Sequence, residues 1–236
     1  GSAVLMRDFD SYQVTLDDGS EATVALNDIP MVMAVSPNVM SVSSLGKRFT
    51  AESGLSFLEP WKGGPKFYSI WSNDQVEKVK KDGFDFVTVG AFINQGGVPA
   101  GLPMDRMDEV LDKAMEYGFV YKADTLSELA EKIGVDASAL EGTVEEYNGY
   151  CETGIDKAFG KDAQYLKTIG DGPYYAVTGS SYAYSTCGGL DVNTEFNVLA
   201  ADGSTPINGL YAAGTDCLGV LLSEKKAYVT YGGCAQ

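Results

Sequence analysis

Three glycine-centred turns lie in the last fifty residues of this 236-residue chain, and they constrain its fold more than any other feature. They occupy 186–189, 209–216 and 231–233, and each follows or interrupts a short run with β-strand character. Glycine lets the backbone approach a flat or phosphorylated ligand where a Cβ atom would collide. The sequence therefore predicts that this region lines a ligand site, and that the residues before it cover and shape that site.

Charge and composition exclude several partners and chemistries. The formal net charge is −16, and the only arginines are Arg7, Arg48 and Arg106. This balance argues against nucleic acid and against an anionic membrane surface. Histidine is absent, which excludes His-based metal sites and Ser-His-Asp triads. No apolar run is long enough to span a bilayer and no signal peptide opens the chain, so we predict no metal, no nucleic acid and no membrane insertion, and leave the compartment open.

The four cysteines predict buried free thiols rather than disulfides. They form no CxxC pair and are too few for a disulfide framework. Their surroundings are apolar or glycine-rich. The four are Cys151, Cys187, Cys217 and Cys234.

The first third of the chain has the patterns of strands and turns. Asp17-Asp18-Gly19 separates two alternating runs and predicts a β-hairpin over 11–26. Prolines interrupt the apolar stretch 30–43, which predicts short extended pieces rather than a helix. The pair Lys47-Arg48 lies in a turn and, taken alone, predicts a solvated surface. Further strands are predicted at 67–71, 84–92, 119–121 and 173–178, and loops at 59–65 and 94–103.

Four helices are predicted, each from a start or stop signal. Asn73 or Asp74 caps a helix that ends at Gly83, and helical spacing from Asp105 stops at Gly118. The capping box 125–128 begins a third helix, which closes at Gly134. Asp136 or Ser138 caps the fourth. Methionine and aromatic stripes on these helices predict core packing.

Several motifs follow one another in a fixed order from Gly46 to the end of the chain. Gly46-Lys-Arg-Phe-Thr-Ala-Glu52 comes first and Thr186-Cys-Gly-Gly-Leu-Asp-Val-Asn193 near the end. The others are 123–130, 143–148, 154–156, 159–160, 173–176, 198–203 and 206–214. This ordered series resembles the FAD-dependent fumarate reductases, a superfamily that also includes urocanate reductases and 3-ketosteroid dehydrogenases.

The resemblance implies a flavoprotein in which an α+β substrate-capping domain closes over the flavin ring. It divides the chain into a flavin-domain hairpin segment at 1–35, the capping domain at 36–180 and a C-terminal flavin-domain segment at 181–236. No G-x-G-x-x-G motif is present, so the dinucleotide-binding half is missing. We therefore expect this chain to be a piece of a longer enzyme and to bind FAD weakly or not at all by itself.

The resemblance also implies which residues contact FAD. The 186–189 turn would line the ring near N5, and Thr215 or Asp216 would hold the ribityl chain. Backbone amides at 232–234 would face the pyrimidine edge, where a helix N-terminus stabilises the negative charge that develops on reduction. The full predicted set is Thr186, Gly188, Gly189, Gly214, Thr215, Asp216, Gly232, Gly233 and Cys234.

Departures from the family pattern change the expected substrate. In the family, arginines and a histidine bind the two carboxylates of the substrate. The matching positions here carry neither residue type: they are Gly54 to Ser56, Ser185, and Thr230 or Tyr231. Burying an unpaired carboxylate costs several kcal/mol. Fumarate is therefore excluded, and a small molecule less charged than a dicarboxylate is predicted.

Tyrosines are the candidate catalytic residues. A phenol can donate a proton to the carbon beside the one that accepts hydride, or polarise a carbonyl group. The candidates are Tyr182, Tyr184, Tyr228 and Tyr231; the alternative is that they are packing and loop residues. The predicted activity is reduction of an activated alkene, an FAD-dependent reaction at a CH–CH bond.

Two other interpretations remain open. The chain could be a ligand-binding cap without redox chemistry, or an inactive structural member of the family. A homodimer formed through the exposed flavin-domain face is also left open.

Overall fold

The structure, a computed structural model, describes residues 6–53, 60–85, 97–180, 189–214 and 216–217. The chain forms two compact units, Gly1–Tyr182 and Ala183–Gln236. The first unit combines helices with antiparallel sheets, and the second contains a two-stranded antiparallel sheet. The mixed α+β class predicted from the sequence is confirmed. No helix in the described ranges is long and apolar enough to cross a membrane.

The first unit begins with the predicted hairpin. Strand β1 (Tyr12–Thr15) pairs with β2 (Glu21–Val24) in antiparallel register. The turn places Gly19 at φ 81°, a left-handed conformation that glycine adopts without steric cost. The hairpin prediction is confirmed.

A short helix, α1 (Ile29–Ala34), follows, and every residue in it is buried. The expectation of extended pieces over 30–43 is wrong for this part. Pro30 lies in the first turn of α1, where its missing N–H would have had no intrahelical partner. Only the second part of the stretch is extended, as β3 (Met40–Ser43).

The central sheet has the strand order β3-β4-β6-β5, and all its neighbours are antiparallel. β4 (Lys66–Ser72) and β6 (Tyr174–Ser180) form its middle, and β5 (Val120–Ala123) is an edge strand. The predicted strands at 67–71, 119–121 and 173–178 are confirmed. Most of the predicted strand at 84–92 lies outside the described residues.

Four longer helices flank this sheet: α2 (Asn73–Asp82), α3 (Met107–Glu116), α4 (Leu126–Ile133) and α5 (Ala137–Thr153). Thr125 caps α4 and Asp136 caps α5, as expected. The expected cap of α2 is wrong, because its N-cap residue is Ser72. The Ser72 backbone N–H donates to Gln75 Oε1 at 3.0 Å, so neither Asn73 nor Asp74 holds this helix start.

Alternation along the strands divides the core between the two faces of the sheet. Trp71, Tyr175 and Val177 face one cluster, which contains residues from α1, α2 and α3. Ile70 and Ala176 face the other, with residues from α4 and α5. Helices therefore cover both faces, and the methionine and aromatic stripes are core, as predicted.

The second unit contains strands β7 (Asn197–Leu199) and β8 (Pro206–Tyr211), which pair in antiparallel fashion. Every residue of β8 is exposed. The turn between the strands is organised by the carboxylate of Asp202, which accepts backbone N–H groups of Ser204 and Thr205 at 2.9 and 2.8 Å. Several large apolar side chains of this unit are exposed: Leu190, Phe196, Ile207, Leu210 and Tyr211.

Candidate functional site

In the second unit, two of the predicted glycine turns are joined by a backbone hydrogen bond. The N–H of Leu190, directly after Gly189, donates to the carbonyl oxygen of Asp216 at 2.8 Å. Gly214 has φ 64°, which glycine tolerates readily. Leu190 and Asp216, 26 residues apart in sequence, thus have neighbouring backbones.

Among the described residues, the carboxylate of Asp216 forms no hydrogen bond or ion pair. Asp216 is exposed, and only its backbone carbonyl is used in the contact with Leu190. The thiol of the next residue, Cys217, is buried and lies 3.4 Å from the carbonyl oxygen of Gly214. Gly189 is exposed and Gly214 is half-buried in these turns, and a carboxylate side chain can accept hydrogen bonds from hydroxyl groups.

Most of the predicted site residues lie outside the described residues. These include all four candidate catalytic tyrosines, Tyr182, Tyr184, Tyr228 and Tyr231, and the cofactor candidates Thr186, Gly188, Thr215, Gly232, Gly233 and Cys234. Their assignments stay predictions. Of the cysteines, Cys217 is a buried thiol, as expected, and Cys151 is a thiol that is only half-buried. The other two are outside the described residues.

In the first unit, Arg48 lies at the centre of a buried group of charges, so the expectation of a solvated cation is wrong for this residue. Its side chain is 5% exposed. Its guanidinium bonds to Glu52 through Nε–Oε1 at 2.9 Å and Nη2–Oε2 at 2.6 Å. Lys47, the other cation of the motif, is exposed. The residues Arg48, Glu52, Asp156, Lys161 and Tyr147 are called the Arg48 cluster below.

Asp156 provides the second anion of the cluster. One carboxylate oxygen accepts Arg48 Nη2 at 2.9 Å, and the two oxygens also accept backbone N–H groups of Ala158, Phe159 and Lys161. Burial raises the pKa of Asp156, but the Arg48 guanidinium and these N–H groups outweigh it, so the net pKa lies below its ordinary value. Asp156 is therefore an ionised partner for Arg48.

Lys161 is the second cation, and its side chain is fully buried. Its amine donates to the carbonyl oxygen of Val39 at 2.7 Å and contacts Tyr147 Oη at 3.0 Å, with Glu52 Oε2 at 3.5 Å. Burial, chiefly, and the neighbouring Arg48 lower the pKa of Lys161, while Glu52 raises it, and the net pKa is about 8. The cluster thus holds two cations and two anions away from water.

Aromatic rings and backbone complete the enclosure of Arg48. Its guanidinium carbon lies 4.9 Å from the ring centroid of Tyr147 and 5.1 Å from that of Phe159, within range of cation–π attraction. Glu52 adopts φ 51° and accepts the N–H of Ser41 at 3.0 Å. A non-glycine residue in this conformation is held there by its surroundings. The motif at 46–52 therefore builds a buried structural junction.

A second tight feature of the first unit lies where β6 ends. Phe67 of β4 is paired with Gly179 of β6, and its ring makes an edge contact with Phe49 at 5.5 Å. A Cβ atom built on Gly179 would lie 2.1 Å from the Phe67 ring. Gly179 thus leaves the space that the rings of Phe67 and Phe49 fill. In the sequence it comes shortly before Tyr182 and Tyr184, the first two candidate tyrosines.

Arg48 and Glu52 lie within the predicted 46–52 motif, but the sequence does not predict their pairing or the other partners of Arg48. The spacing of Arg48 and Glu52 was a usable signal, because residues four apart can form an ion pair. Asp156 and Lys161 gave no such signal, because they lie more than a hundred residues away.

Solved structures share this arrangement of helices and antiparallel strands. One is 3-ketosteroid Δ1-dehydrogenase from Sterolibacterium denitrificans, with a TM-score of 0.54 and 23% identity over 94% of this chain and 39% of that chain. Another is 3-ketosteroid-Δ4-(5α)-dehydrogenase from Rhodococcus jostii, with a TM-score of 0.50 and 23% identity over 85% of this chain and 37% of that chain. At this identity the likeness defines the fold alone.

The sequence places the chain within a family. Residues 22–222 match the model of the FAD binding domain, so the chain belongs to this family of FAD-dependent flavoproteins. The predicted resemblance to fumarate reductases, urocanate reductases and 3-ketosteroid dehydrogenases is confirmed, and FAD is the cofactor of the family.

Curated relatives carry the names of several reductases and dehydrogenases. Vinyl phenol reductase of Lactiplantibacillus plantarum is 34% identical over 65% of this chain and 30% of its own length. Urocanate reductase of Eggerthella lenta is 41% identical over 44% of this chain and 17% of its own length. The 3-oxosteroid 1-dehydrogenase of Mycolicibacterium smegmatis is 36% identical over 43% of this chain and 20% of its own length. The chain spans less than a third of the length of these relatives.

Proposed function

We propose that this chain forms the substrate-capping domain and a C-terminal flavin-binding segment of an FAD-dependent oxidoreductase that reduces an activated carbon–carbon double bond. The observation that carries the proposal is the family match over residues 22–222. Relatives named for vinyl phenol, urocanate and an oxosteroid support it, since each name denotes a small unsaturated molecule or its saturated counterpart.

The second unit would contribute to holding the flavin. Gly189 and Gly214 offer exposed or half-exposed backbone, and the Asp216 carboxylate is exposed beside them. Asp216 is suited to accept hydrogen bonds from ribityl hydroxyls. When bound, FAD supplies the hydride for the alkene from its N5 atom.

The charges of the first unit favour a substrate less charged than a dicarboxylate. The Arg48 guanidinium is buried and bonded to Glu52 and Asp156, so it is occupied by protein carboxylates. Arg106 pairs with Glu109 at 2.7 Å on the surface. Neither of these two arginines is thus available for a second substrate carboxylate, and burying a carboxylate without a matched cation costs several kcal/mol. Neutral or singly charged alkenes, such as hydroxylated styrenes or enones, avoid this cost.

The remaining requirement is a proton for the carbon beside the one that accepts hydride. We assign this role to a tyrosine of the set Tyr182, Tyr184, Tyr228 and Tyr231, with Tyr182 and Tyr184 as the first pair to test. Their alternate positions place both side chains on one face if the segment is extended. A phenol hydroxyl can donate this proton or hydrogen-bond the activating carbonyl.

The proposal is tested on the complete flavoprotein that carries this sequence. Reduced viologen is supplied as electron donor, and its oxidation is followed with fumarate, urocanate, a hydroxycinnamate, a vinyl phenol and a steroid enone. We expect turnover with at least one alkene that carries no more than one negative charge, and none with fumarate. Preferred turnover of fumarate would overturn the substrate class.

Variants of the tyrosines test the proton donor. Tyr182→Phe and Tyr184→Phe remove one hydroxyl each, and Tyr12→Phe in the exposed β1 strand serves as control. Loss of general-acid catalysis typically lowers kcat by 10²–10⁴-fold, so we expect such a loss in one variant and none in the control. Unchanged kcat in both would remove these two tyrosines from the reaction.

The competing interpretations give different outcomes in the same experiment. A ligand-binding cap would perturb flavin absorbance on ligand addition without oxidising the donor. An inactive structural member would do neither. A second copy bound through the exposed second-unit face is tested separately, by measuring the molecular mass of the chain in solution.

A further inference from the structure

The Arg48 cluster connects three parts of the first unit that are distant in sequence. The Glu52 carboxylate accepts the N–H of Ser41 in β3, and the Lys161 amine donates to the carbonyl oxygen of Val39, just before β3. Arg48 connects Glu52 to Asp156 in the loop after α5. Every charged side chain of the cluster is at most 5% exposed. Local opening at any of these parts must therefore bring buried charge into water.

We propose that the Arg48 cluster is a pH-sensitive clasp whose switch is the amine of Lys161: protonation loosens the clasp and deprotonation tightens it. The proposal concerns the folding of the first unit and does not depend on the proposed oxidoreductase function. It assigns to Lys161 a role beyond that of a static hydrogen-bond donor.

The contacts of Lys161 explain why its neutral form suits the clasp better. As a neutral amine it still donates to Val39 O and contacts Tyr147 Oη, at 2.7 and 3.0 Å. It loses only the attraction to Glu52 Oε2, which at 3.5 Å is the longest of its three contacts. As an ammonium group it must be desolvated completely, and this cost exceeds what an imperfectly placed partner returns.

Charged and titratable groups face Lys161 from two segments of the first unit. Arg48 and Glu52 face it from the 48–52 segment, and Tyr147 and Cys151 from α5; Asp156 acts through Arg48. Burial raises the pKa values of Tyr147 and Cys151. Burial alone would lower the pKa of Arg48, but Glu52 and Asp156 raise it above its ordinary value. The pKa of Asp156 is lowered despite burial, chiefly by Arg48.

The direction of the pH effect follows from proton linkage. In the closed clasp the pKa of Lys161 is about 8, and in an open, solvated clasp it returns to 10.5. Between these values the open form binds more protons, so raising the pH favours the closed form. The same linkage predicts that the opening equilibrium falls about tenfold between pH 7 and pH 9.

Amide hydrogen exchange on the 236-residue chain measures this opening directly. The reporters are the N–H groups of Ser41 and Lys161, which donate to Glu52 and Asp156 within the cluster. After correction for the intrinsic effect of pH, their protection should rise about tenfold from pH 7 to pH 9. Protection that stays constant or falls over this range overturns the proposal.

Two substitutions fix the switch in opposite states. Lys161→Met is neutral and Lys161→Arg is charged throughout this range, so both should lose the rise in protection. Lys167→Met removes an exposed lysine six residues away and should keep it. A rise that persists in Lys161→Met would assign the effect to another group.

If a variant does not fold, NMR of the unaltered chain still tests the proposal. The ¹³Cε shift of Lys161 reports its ionisation by NMR. A midpoint near 8 is expected, and a midpoint near 10.5 contradicts the proposal.

Discussion

The guanidinium of Arg48 and the carboxylate of Glu52 form a two-pronged hydrogen-bonded pair, with Nε–Oε1 at 2.9 Å and Nη2–Oε2 at 2.6 Å. Glu52 is fully buried and Arg48 nearly so. Such parallel bonds fix both distance and orientation. The pair therefore fixes the path of the chain after β3. The backbone of Glu52 itself is in the left-handed region, with φ 51°.

Removing Arg48 should destabilise the first unit strongly. Arg48→Met leaves Glu52 and Asp156 buried without their shared cation, and breaking a buried pair in this way costs about 3–5 kcal/mol. Urea unfolding followed by the fluorescence of Trp71, which is buried in this unit, measures the loss. Arg106→Met removes an exposed ion pair and should change the free energy of unfolding by about 1 kcal/mol or less. Equal effects of the two substitutions would contradict the assigned role of Arg48.

Gly179 should not tolerate even a methyl group. Its Cβ would lie 2.1 Å from the Phe67 ring, so Gly179→Ala must displace the ring or the strand, at a cost of about 1–3 kcal/mol or more. The double variant Phe67→Leu, Gly179→Ala should recover part of this loss, because the smaller side chain leaves space. Strictly additive effects of the two substitutions would argue against the contact.

Gly142 provides the matched control for this experiment. It lies inside α5, and a Cβ atom there would have no neighbour within 4 Å. Gly142→Ala should therefore stabilise the protein by about 0.5–1 kcal/mol, because alanine restricts the unfolded chain and favours helix. The same urea titration gives both values, with opposite signs.

Elements that a local sequence pattern determines agree with their predictions. The Asp17-Asp18-Gly19 hairpin and the capped start of α4 at Thr125 are confirmed, because turn and cap chemistry act over a few residues. The prediction is wrong at α1, because Pro30 lies in the first turn, where a proline is compatible with a helix.

The burial of Arg48 was also missed, for a different reason. Its carboxylate partner Asp156 lies 108 residues further along, and only the tertiary fold brings the two together. A single sequence contains no local signal for such a contact. In the second unit, the backbone hydrogen bond between Leu190 and Asp216 is likewise a product of folding.

The start of α5 allows two sequence-based alternatives to be separated by experiment. Asp136 Oδ1 accepts the N–H of Ala139 at 2.8 Å, whereas Ser138 is an exposed residue within the first turn. Asp136→Ala should cost about 1 kcal/mol of stability, and Ser138→Ala less than about 0.5 kcal/mol. Thermal unfolding of the two variants compares them, and a larger loss for Ser138→Ala would reverse the assignment.

The turn between β7 and β8 should remain intact well into acid. Hydrogen bonds from the Thr205 hydroxyl and from the N–H groups of Thr205 and Ser204 lower the pKa of Asp202 from 3.8 to about 2. Because the folded-state pKa is depressed, the contribution of these bonds to the turn is present above pH 4 and is lost as the pH falls through about 2. The amide shift of Thr205 should therefore titrate with a midpoint near 2. Asp202→Asn, which cannot ionise, should abolish this transition, and a native midpoint near 4 would mean that the carboxylate does not organise the turn.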